Sequence, residues 1–486
     1  MLRRNRCNHI LASSLLLVLS TTALSAPRWH FSKGMSVGAI YTDNYNLEPD
    51  NEEGDLGLRV TPNVNFNREG ARMKLDFFFA PSFTQHTSSD GGSDFSNNLT
   101  ANLNSELYED VLFLDASANA FLSQRSSSSG NSGDGADNNR DTTQTYTYVV
   151  SPYTRHRFKS YADSELRFTR DGVVNTSGDA ENSTSDQLKY SINSGTRFSK
   201  TPWGLEATYQ KIDYDGSSDN SKVRNILGNL SYKLNRRWQA DSYLGYEDND
   251  VESSSDDPQS INWGVGATWT PSARTFLKFG YGKRFFGSNF YFDLKHRRKR
   301  SAWTASLTHD LASSREEQLE RQTFGVLDPF GNPVLDPSGQ PVTVDVDSFN
   351  LTDAWYQLDR FLTSYTLQGR RDTLTFNAFA SERDYLDFDR DEKRYGLSAR
   401  WSRGLTGVLR GNLTLGWDKF EPNGTLGTNF DDDDDNDTWV IAAGLTRQLT
   451  ARSSLNLNVS HRDRSSDNPD DEYTENRVSL TLGTRW

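Results

Sequence analysis

The last nine residues, V-S-L-T-L-G-T-R-W at 478–486, decide the fold. In an extended strand they place Leu480, Leu482 and Trp486 on one face, because successive side chains point to opposite sides. The residues between them, such as Thr481, are polar or small. An apolar face for lipid, a polar face for a wet lumen and an interfacial aromatic residue form the repeating unit of a transmembrane β-barrel.

The same alternation recurs along the whole chain, with clear examples at 261–269, 395–401 and 439–445. No stretch after the first residues has a sustained helical period. Long connections rich in Asp, Ser, Gly and Asn alternate with short turns, as expected of long extracellular loops and short periplasmic turns. We therefore expect an all-β, closed antiparallel barrel of about 22 strands, within a range of about 16 to 24. The connection at 287–288 is short for an outer loop, and the stretch 349–368 holds either one long strand or a loop and a shorter strand.

The first residues resemble an export signal. Three arginines precede an apolar run at 10–19, and small residues follow, ending at Ser25 and Ala26. This pattern predicts a signal peptide at 1–25 and a barrel at 26–486, in the outer membrane of a Gram-negative bacterium. Cys7, the one cysteine, falls in the signal peptide, so we expect neither a disulfide nor a thiolate site in the mature chain.

Composition agrees with a barrel and excludes other classes. The mean hydropathy is −0.75 and 34% of residues are hydrophobic, which a barrel tolerates because alternate residues of each strand face water. The 12% aromatic content separates the chain from disordered acidic proteins. The net charge of −13 argues against nucleic acid. The acidic segment 431–437 is either a solvated loop or a calcium site, and its spacing favours the loop.

The sequence carries little that indicates catalysis. It has neither a zinc-binding H-E-x-x-H pattern nor a G-x-S-x-G nucleophile turn. One suggestive cluster is His309 and Asp310 with Ser313 and Ser314 nearby, and a histidine at the base of a loop is the simpler interpretation. We expect no enzyme, no cofactor and no metal site.

Charged residues are expected on the inward faces of several strands. They either form a selectivity lining for a charged or hydroxyl-rich solute or pair across strands to hold a wide barrel open. The candidate lumen residues are Asp241, Glu247, Lys278, Arg284, Asp293, Lys295, Arg297, Arg394 and Arg400. Four inward or rim aromatic residues are candidates for stacking on sugar rings: Phe113, Phe121, Tyr243 and Tyr291.

A barrel of this width needs a closing element, because barrels of 22 strands have a plugged lumen. The first strand is predicted near 35–43, which leaves no room for a separate N-terminal plug domain. The longest connection, 313–348, contains enough Pro and Gly for a compact loop that folds into the lumen. Its alternative is a mobile extracellular loop.

Two resemblances go beyond the strand pattern. The final strand resembles the signal that the barrel-assembly machinery recognises, which makes Leu480, Leu482 and Trp486 its expected determinants. The segments G-L-R-V-T-P-N-V-N-F-N-R-E-G-A-R at 57–72 and Y-G-K-R-F-F-G-S-N-F-Y-F-D-L-K-H-R-R-K-R-S-A-W at 281–303 resemble an uncharacterised porin-type outer-membrane family associated with PEP-CTERM and exosortase systems. That family occurs in exopolysaccharide gene clusters.

The resemblance implies a role in exporting or assembling a surface polysaccharide. The expected partners are outer-membrane lipid and lipopolysaccharide, the barrel-assembly machinery, a periplasmic polysaccharide-export protein and the polysaccharide itself. Two alternatives remain, a general or solute-specific porin for uptake and an outer-membrane hydrolase.

Overall fold

The structure is a computed structural model, and it describes residues 28–87, 92–126, 141–177, 180–216, 220–251, 253, 259–320, 324–325, 343–344, 351–387, 389–424 and 434–486. The predicted signal peptide, 1–25, lies outside these residues. Residues 431–433 of the acidic segment also lie outside them.

Twenty-two strands form one closed antiparallel barrel, as the alternation predicted. Each strand is long enough to cross the hydrocarbon core at a tilt. The barrel strands are β1 Arg28–Thr42, β2 Asp55–Glu69, β3 Met73–Gln85, β4 Ser93–Tyr108, β5 Leu112–Gln124, β6 Thr142–Phe158, β7 Ala162–Asn175, β8 Ser183–Ser194, β9 Trp203–Tyr214, β10 Ser221–Lys233, β11 Trp238–Asp250, β12 Gln259–Ser272, β13 Thr275–Arg284, β14 Gly287–Arg297, β15 Ser301–Ser313, β18 Trp355–Gln368, β19 Asp372–Tyr385, β20 Arg390–Gly404, β21 Leu409–Gly424, β22 Asn436–Gln448, β23 Ser453–Ser466 and β24 Tyr473–Arg485.

The smaller elements lie in the connections. A short helix, α1 Ser314–Glu320, follows β15, and β16 Phe324–Gly325 pairs with β17 Thr343–Val344. Single turns of 3-10 helix occur at Thr196–Phe198 and Pro469–Asp471. No helix among the described residues is long and apolar enough to cross a membrane. The described residues also contain no separate plug domain.

The first and last strands close the ring. β1 pairs with β24 from Gly34 opposite Arg485 to Thr42 opposite Arg477. At the end of this seam the backbone of Lys33 both donates to and accepts from the backbone of Trp486. This pairing joins the two edges of the sheet, so no sheet edge is left open at the seam. An open edge would be costly because every backbone polar group in hydrocarbon needs a partner.

The strand faces sort by polarity. Leu480, Leu482 and Trp486 are about half exposed, at 47%, 46% and 50%, on the surface that faces lipid. A closed barrel with an apolar outer band is a structure of outer membranes. The chain is therefore an outer-membrane protein.

Most short turns, the start of β1 and the end of β24 lie at one rim, and most of the longer connections lie at the other. By the rule for these barrels the first rim is periplasmic and the second is extracellular. The structure decides the two connections that the sequence left open. The connection near 287–288 is a two-residue turn, Phe285 and Phe286, followed by Gly287 at φ 108°. The stretch 349–368 contains one strand, β18, preceded by a short non-strand segment.

Candidate functional site: the barrel lumen

The predicted lumen residues all lie on the strand faces opposite the lipid-exposed side chains. They belong to four strands: β11 holds Asp241 and Glu247; β13 holds Lys278 and Arg284; β14 holds Asp293, Lys295 and Arg297; β20 holds Arg394 and Arg400. Most of those with a described partner pair with an opposite charge. This favours charge pairing along the wall over a lining of one sign.

The strongest of these pairs joins β11 to β13. Arg284 Nη2 lies 2.9 Å from Glu247 Oε2, and Arg284 Nη1 lies 3.1 Å from Asp310 Oδ1. Glu247 is only 2% exposed, so its charge is held away from water. Breaking such a pair from one side leaves an uncompensated buried charge, which is strongly destabilising.

The other predicted residues form shorter-range contacts. Lys295 Nζ lies 3.1 Å from Asp293 Oδ2 on the same strand, and Arg394 Nη2 lies 3.0 Å from Asp418 Oδ2 on β21. Arg297 is exposed near the periplasmic rim.

A short helix inside the ring was not predicted as such from the sequence. α1 begins directly after β15, where Ser313 Oγ accepts a hydrogen bond from the Glu316 backbone at 3.3 Å. One side of the helix contacts β7 and β8. There Arg315 pairs with Asp171 and donates to Ser183 Oγ at 2.8 Å.

The other side of α1 contacts β18 and β19. Glu317 pairs with both Arg360 and Arg383, and Tyr356 donates its hydroxyl to Glu317 at 2.7 Å. Burial would raise the pKa of Glu317, but the charges of Arg383 and Arg360 and the Tyr356 hydrogen bond outweigh it. The pKa of Glu317 therefore lies below its ordinary value, and the carboxylate is charged at neutral pH.

These contacts make α1 a bridge across the lumen. Strands β9 to β15 separate β8 from β18 around the wall, yet side chains of one seven-residue helix contact both sides. Within the predicted closing loop 313–348 these contacts are made by Ser314–Glu320, while 321–323, 326–342 and 345–348 lie outside the described residues, so the fold-in of the whole connection stays a prediction. We call Arg315, Glu317 and their five charged or hydroxyl partners on strands β7, β8, β18 and β19 (Asp171, Ser183, Tyr356, Arg360 and Arg383) the bridge.

The strands β15 and β18, which flank α1, separate from β14 in their extracellular parts. β14 and β15 pair only from Arg297 opposite Ala302 to Phe292 opposite Leu307, whereas β15 and β18 stay paired out to Ser313 opposite Trp355. The extracellular part of β15 and β18 is therefore free to lean over the lumen.

The far end of that hairpin docks on β9 and β10. Trp355 packs against Ile212 and Val251, and its indole Nε1 donates to Ser221 Oγ at 3.1 Å. Trp355 is 2% exposed, so this contact fixes the hairpin over the opening. The sequence signal for this contact is the pair of aromatic residues at 355–356, shortly after the longest connection.

The periplasmic end is more open. A cavity of about 700 Å³ there is lined by Phe113 and by charged side chains that include Arg155 and Glu165. Phe113 stacks on Tyr153 with ring centroids 5.1 Å apart, and Arg155 lies over both rings, so these aromatic faces are already covered.

The suggested catalytic cluster does not assemble. His309 Nδ1 pairs with Asp359, whereas Asp310 accepts from Arg284, because adjacent residues of a strand point to opposite faces. Ser313 Oγ serves instead as a cap for α1. The described residues also contain no group of three or more side chains suited to hold a metal ion.

Comparisons with known proteins support the fold. Two variants of the FrpB iron transporter from Neisseria meningitidis, F5-1 and F3-3, are similar at a TM-score of 0.50, with 9% and 8% identity, over 94% of this chain and 82% of theirs. The siderophore receptor PirA from Pseudomonas aeruginosa is similar at a TM-score of 0.46 and 12% identity, over 95% of this chain and 81% of that one. The similarity to FrpB supports the closed β-barrel fold of this chain. No protein-family model matches the chain, and no curated protein matches it.

Proposed function

We propose that this barrel is a gated outer-membrane conduit that assists export or surface assembly of an exopolysaccharide. The observation that carries the proposal is the bridge. α1 lies between the β7 and β8 wall and the ends of β18 and β19, and it is held on both sides by ion pairs that a conformational change can break. A barrel that served only to stiffen the membrane would need neither a polar lumen nor a helix held inside it by ion pairs.

Polymer export, rather than uptake, is supported by the resemblance of 57–72 and 281–303 to barrels from exopolysaccharide gene clusters. The periplasmic cavity is the natural place for a polymer delivered by a periplasmic export protein to enter. Insertion of the barrel itself depends on the assembly machinery, through the closing strand and Trp486.

A deletion strain tests the proposal. Loss of the protein is expected to lower surface exopolysaccharide and to leave growth on small sugars unchanged. Complementation with the wild-type gene should restore the polymer. Normal surface polysaccharide together with slower uptake of a defined solute would contradict export and favour the porin.

A further inference from the structure

Four glycines form a window in the inner wall of β12 and β13. Gly264 lies opposite Gly282, and Gly266 lies opposite Gly280, so the four occupy adjacent inward positions on two paired strands. Glycine weakens a strand, and a group of four such positions indicates that something approaches the backbone closely.

Two tyrosines fill this window from opposite sides. Tyr243 comes from β11, and a Cβ added at Gly264 would overlap its ring, while one added at Gly282 would overlap its hydroxyl. Tyr291 comes from β14 and lies over Gly280 in the same way. Both rings therefore lie flat on the wall, with one face on the glycine backbone. Since both tyrosines are only half-buried, the other face is open to the lumen. We call Tyr243, Tyr291 and the four glycines the tyrosine platform.

A polar group ends each row of the platform. The row of Tyr243 runs through Gly264 and Gly282 to Asn289, and the row of Tyr291 runs back through Gly280 and Gly266 to Asp241. Inward positions along a strand are about 7 Å apart, so the two ring faces lie side by side.

The polar groups at the two ends differ in what they still need. Asn289 is only 8% exposed, and its Oδ1 has no hydrogen-bond partner among the described residues. That oxygen is closed to solvent, so it belongs to the packing of the wall and not to the open surface of the platform. Asp241 already accepts from Ser231, Gln239 and Thr268, at 2.7, 2.7 and 2.6 Å.

Covering glycines with aromatic rings also stabilises a strand, but the platform differs from another aromatic pair in the lumen. Phe113 and Tyr153 are capped by arginines, with the Arg167 guanidinium 3.8 Å from the Tyr153 ring. Among the described residues, no guanidinium lies over Tyr243 or Tyr291. Lys278 Nζ lies over the Tyr291 ring at 5.7 Å from its centroid, farther than the 3.8 Å between the Arg167 guanidinium and the Tyr153 ring. A purely structural cover does not require ring faces that are left open to the lumen.

We infer that the tyrosine platform binds pyranose rings of a neutral, hydroxyl-rich saccharide chain. The C–H face of a pyranose stacks on a flat aromatic face such as those of Tyr243 and Tyr291. Lys278 and Asp241 flank the platform with opposite charges, which favours a neutral chain over an anionic one. The inference rests on the proposed function, since it names the class of solute that the conduit carries.

Calorimetry tests the platform directly. The purified barrel in a non-glycosidic detergent is titrated with maltohexaose and with cellohexaose. Aromatic stacking contributes about 0.5–1.5 kcal/mol per ring, so we expect Tyr243→Ala and Tyr291→Ala each to weaken binding up to about tenfold. Tyr243→Phe, which keeps the ring, should retain most of the affinity.

The matched controls are Tyr246→Ala and Phe290→Ala, lipid-facing residues on the same two strands, which should leave binding unchanged. If the alanine variants fail to fold, Gly264→Ala provides a second disruption that keeps both tyrosines, because its Cβ would meet the Tyr243 side chain and displace that ring. No binding by the wild type to either hexasaccharide, or equal affinity in the platform variants, would overturn the inference. Export is tested separately: saccharide binding combined with normal surface polysaccharide in the deletion strain keeps the platform and rejects export.

Discussion

The bridge and the tyrosine platform are two polar regions of one lumen, but they use their polar groups in opposite ways. In the bridge the charges are buried and paired: Arg315 is 4% exposed, and Glu317 contacts two arginines. In the platform the rings are half-open, and Lys278 is exposed. Side chains that satisfy each other hold a structure in place, whereas side chains left open are available to a solute. The bridge therefore accounts for closure, and the platform for recognition.

The largest expected difference is in stability. Arg383→Ala removes one partner of Glu317 and leaves a buried carboxylate undercompensated, which costs about 3–5 kcal/mol in the free energy of unfolding. Lys278→Ala removes an exposed charge and should change that free energy by no more than about 1 kcal/mol. Urea unfolding of both variants in lipid vesicles measures this. Equal destabilisation by the two changes would remove the distinction between the regions.

The second largest expected effect is that of acid on the bridge. Because the pKa of Glu317 is lowered in the folded protein, its contribution is fully present above the ordinary glutamate pKa of about 4.3 and is lost as pH falls through the lower folded value. Channel conductance in planar bilayers should therefore stay low at neutral pH and rise below about pH 4. The neutral variant Glu317→Gln should lose this acid-dependent rise. A transition centred near pH 6 would instead indicate a histidine and contradict this assignment.

The smallest expected effect is on ion preference. Lys278→Glu reverses one exposed charge beside the platform and should shift the reversal potential toward cation selectivity in a salt gradient. Lys283→Glu on the same strand, but on the opposite face, is the control. An equal shift in both variants would mean that Lys278 does not line the conducting path.

The sequence predicted the barrel well because its signal is local. Alternation and turn composition act over a few residues, and they were enough for the number of strands and for the closing strand that carries Leu480 and Trp486. The side of each strand on which Asp241 or Arg394 lies also follows from alternation. The first strand starts at Arg28, earlier than the predicted 35–43. At its periplasmic end the outward residues are aromatic and the inward residues are His30 and Ser32, so the alternation of a barrel strand already begins there.

The bridge could not be predicted because its partners are distant in the chain. Arg315 and Asp171 are 144 residues apart, and Glu317 is 66 residues from Arg383. The glycine window had a visible signal, G-x-G at 264–266 and again at 280–282. Pairing those two motifs requires the register of β12 and β13, which a turn of uncertain length leaves open.

The most direct test of closure is the single-channel conductance of a barrel without a working bridge. In the double variant Arg315→Ala and Glu317→Ala, α1 loses its ion pairs to both walls, while the length of the connection stays the same. Glu382→Ala, which removes an exposed carboxylate paired with Lys393 next to Arg383, is the control. The bridge predicts a several-fold rise in conductance and passage of large dextrans for the double variant only. Conductance equal to that of the wild type, in a correctly folded and inserted double variant, would contradict the claim that α1 closes the lumen.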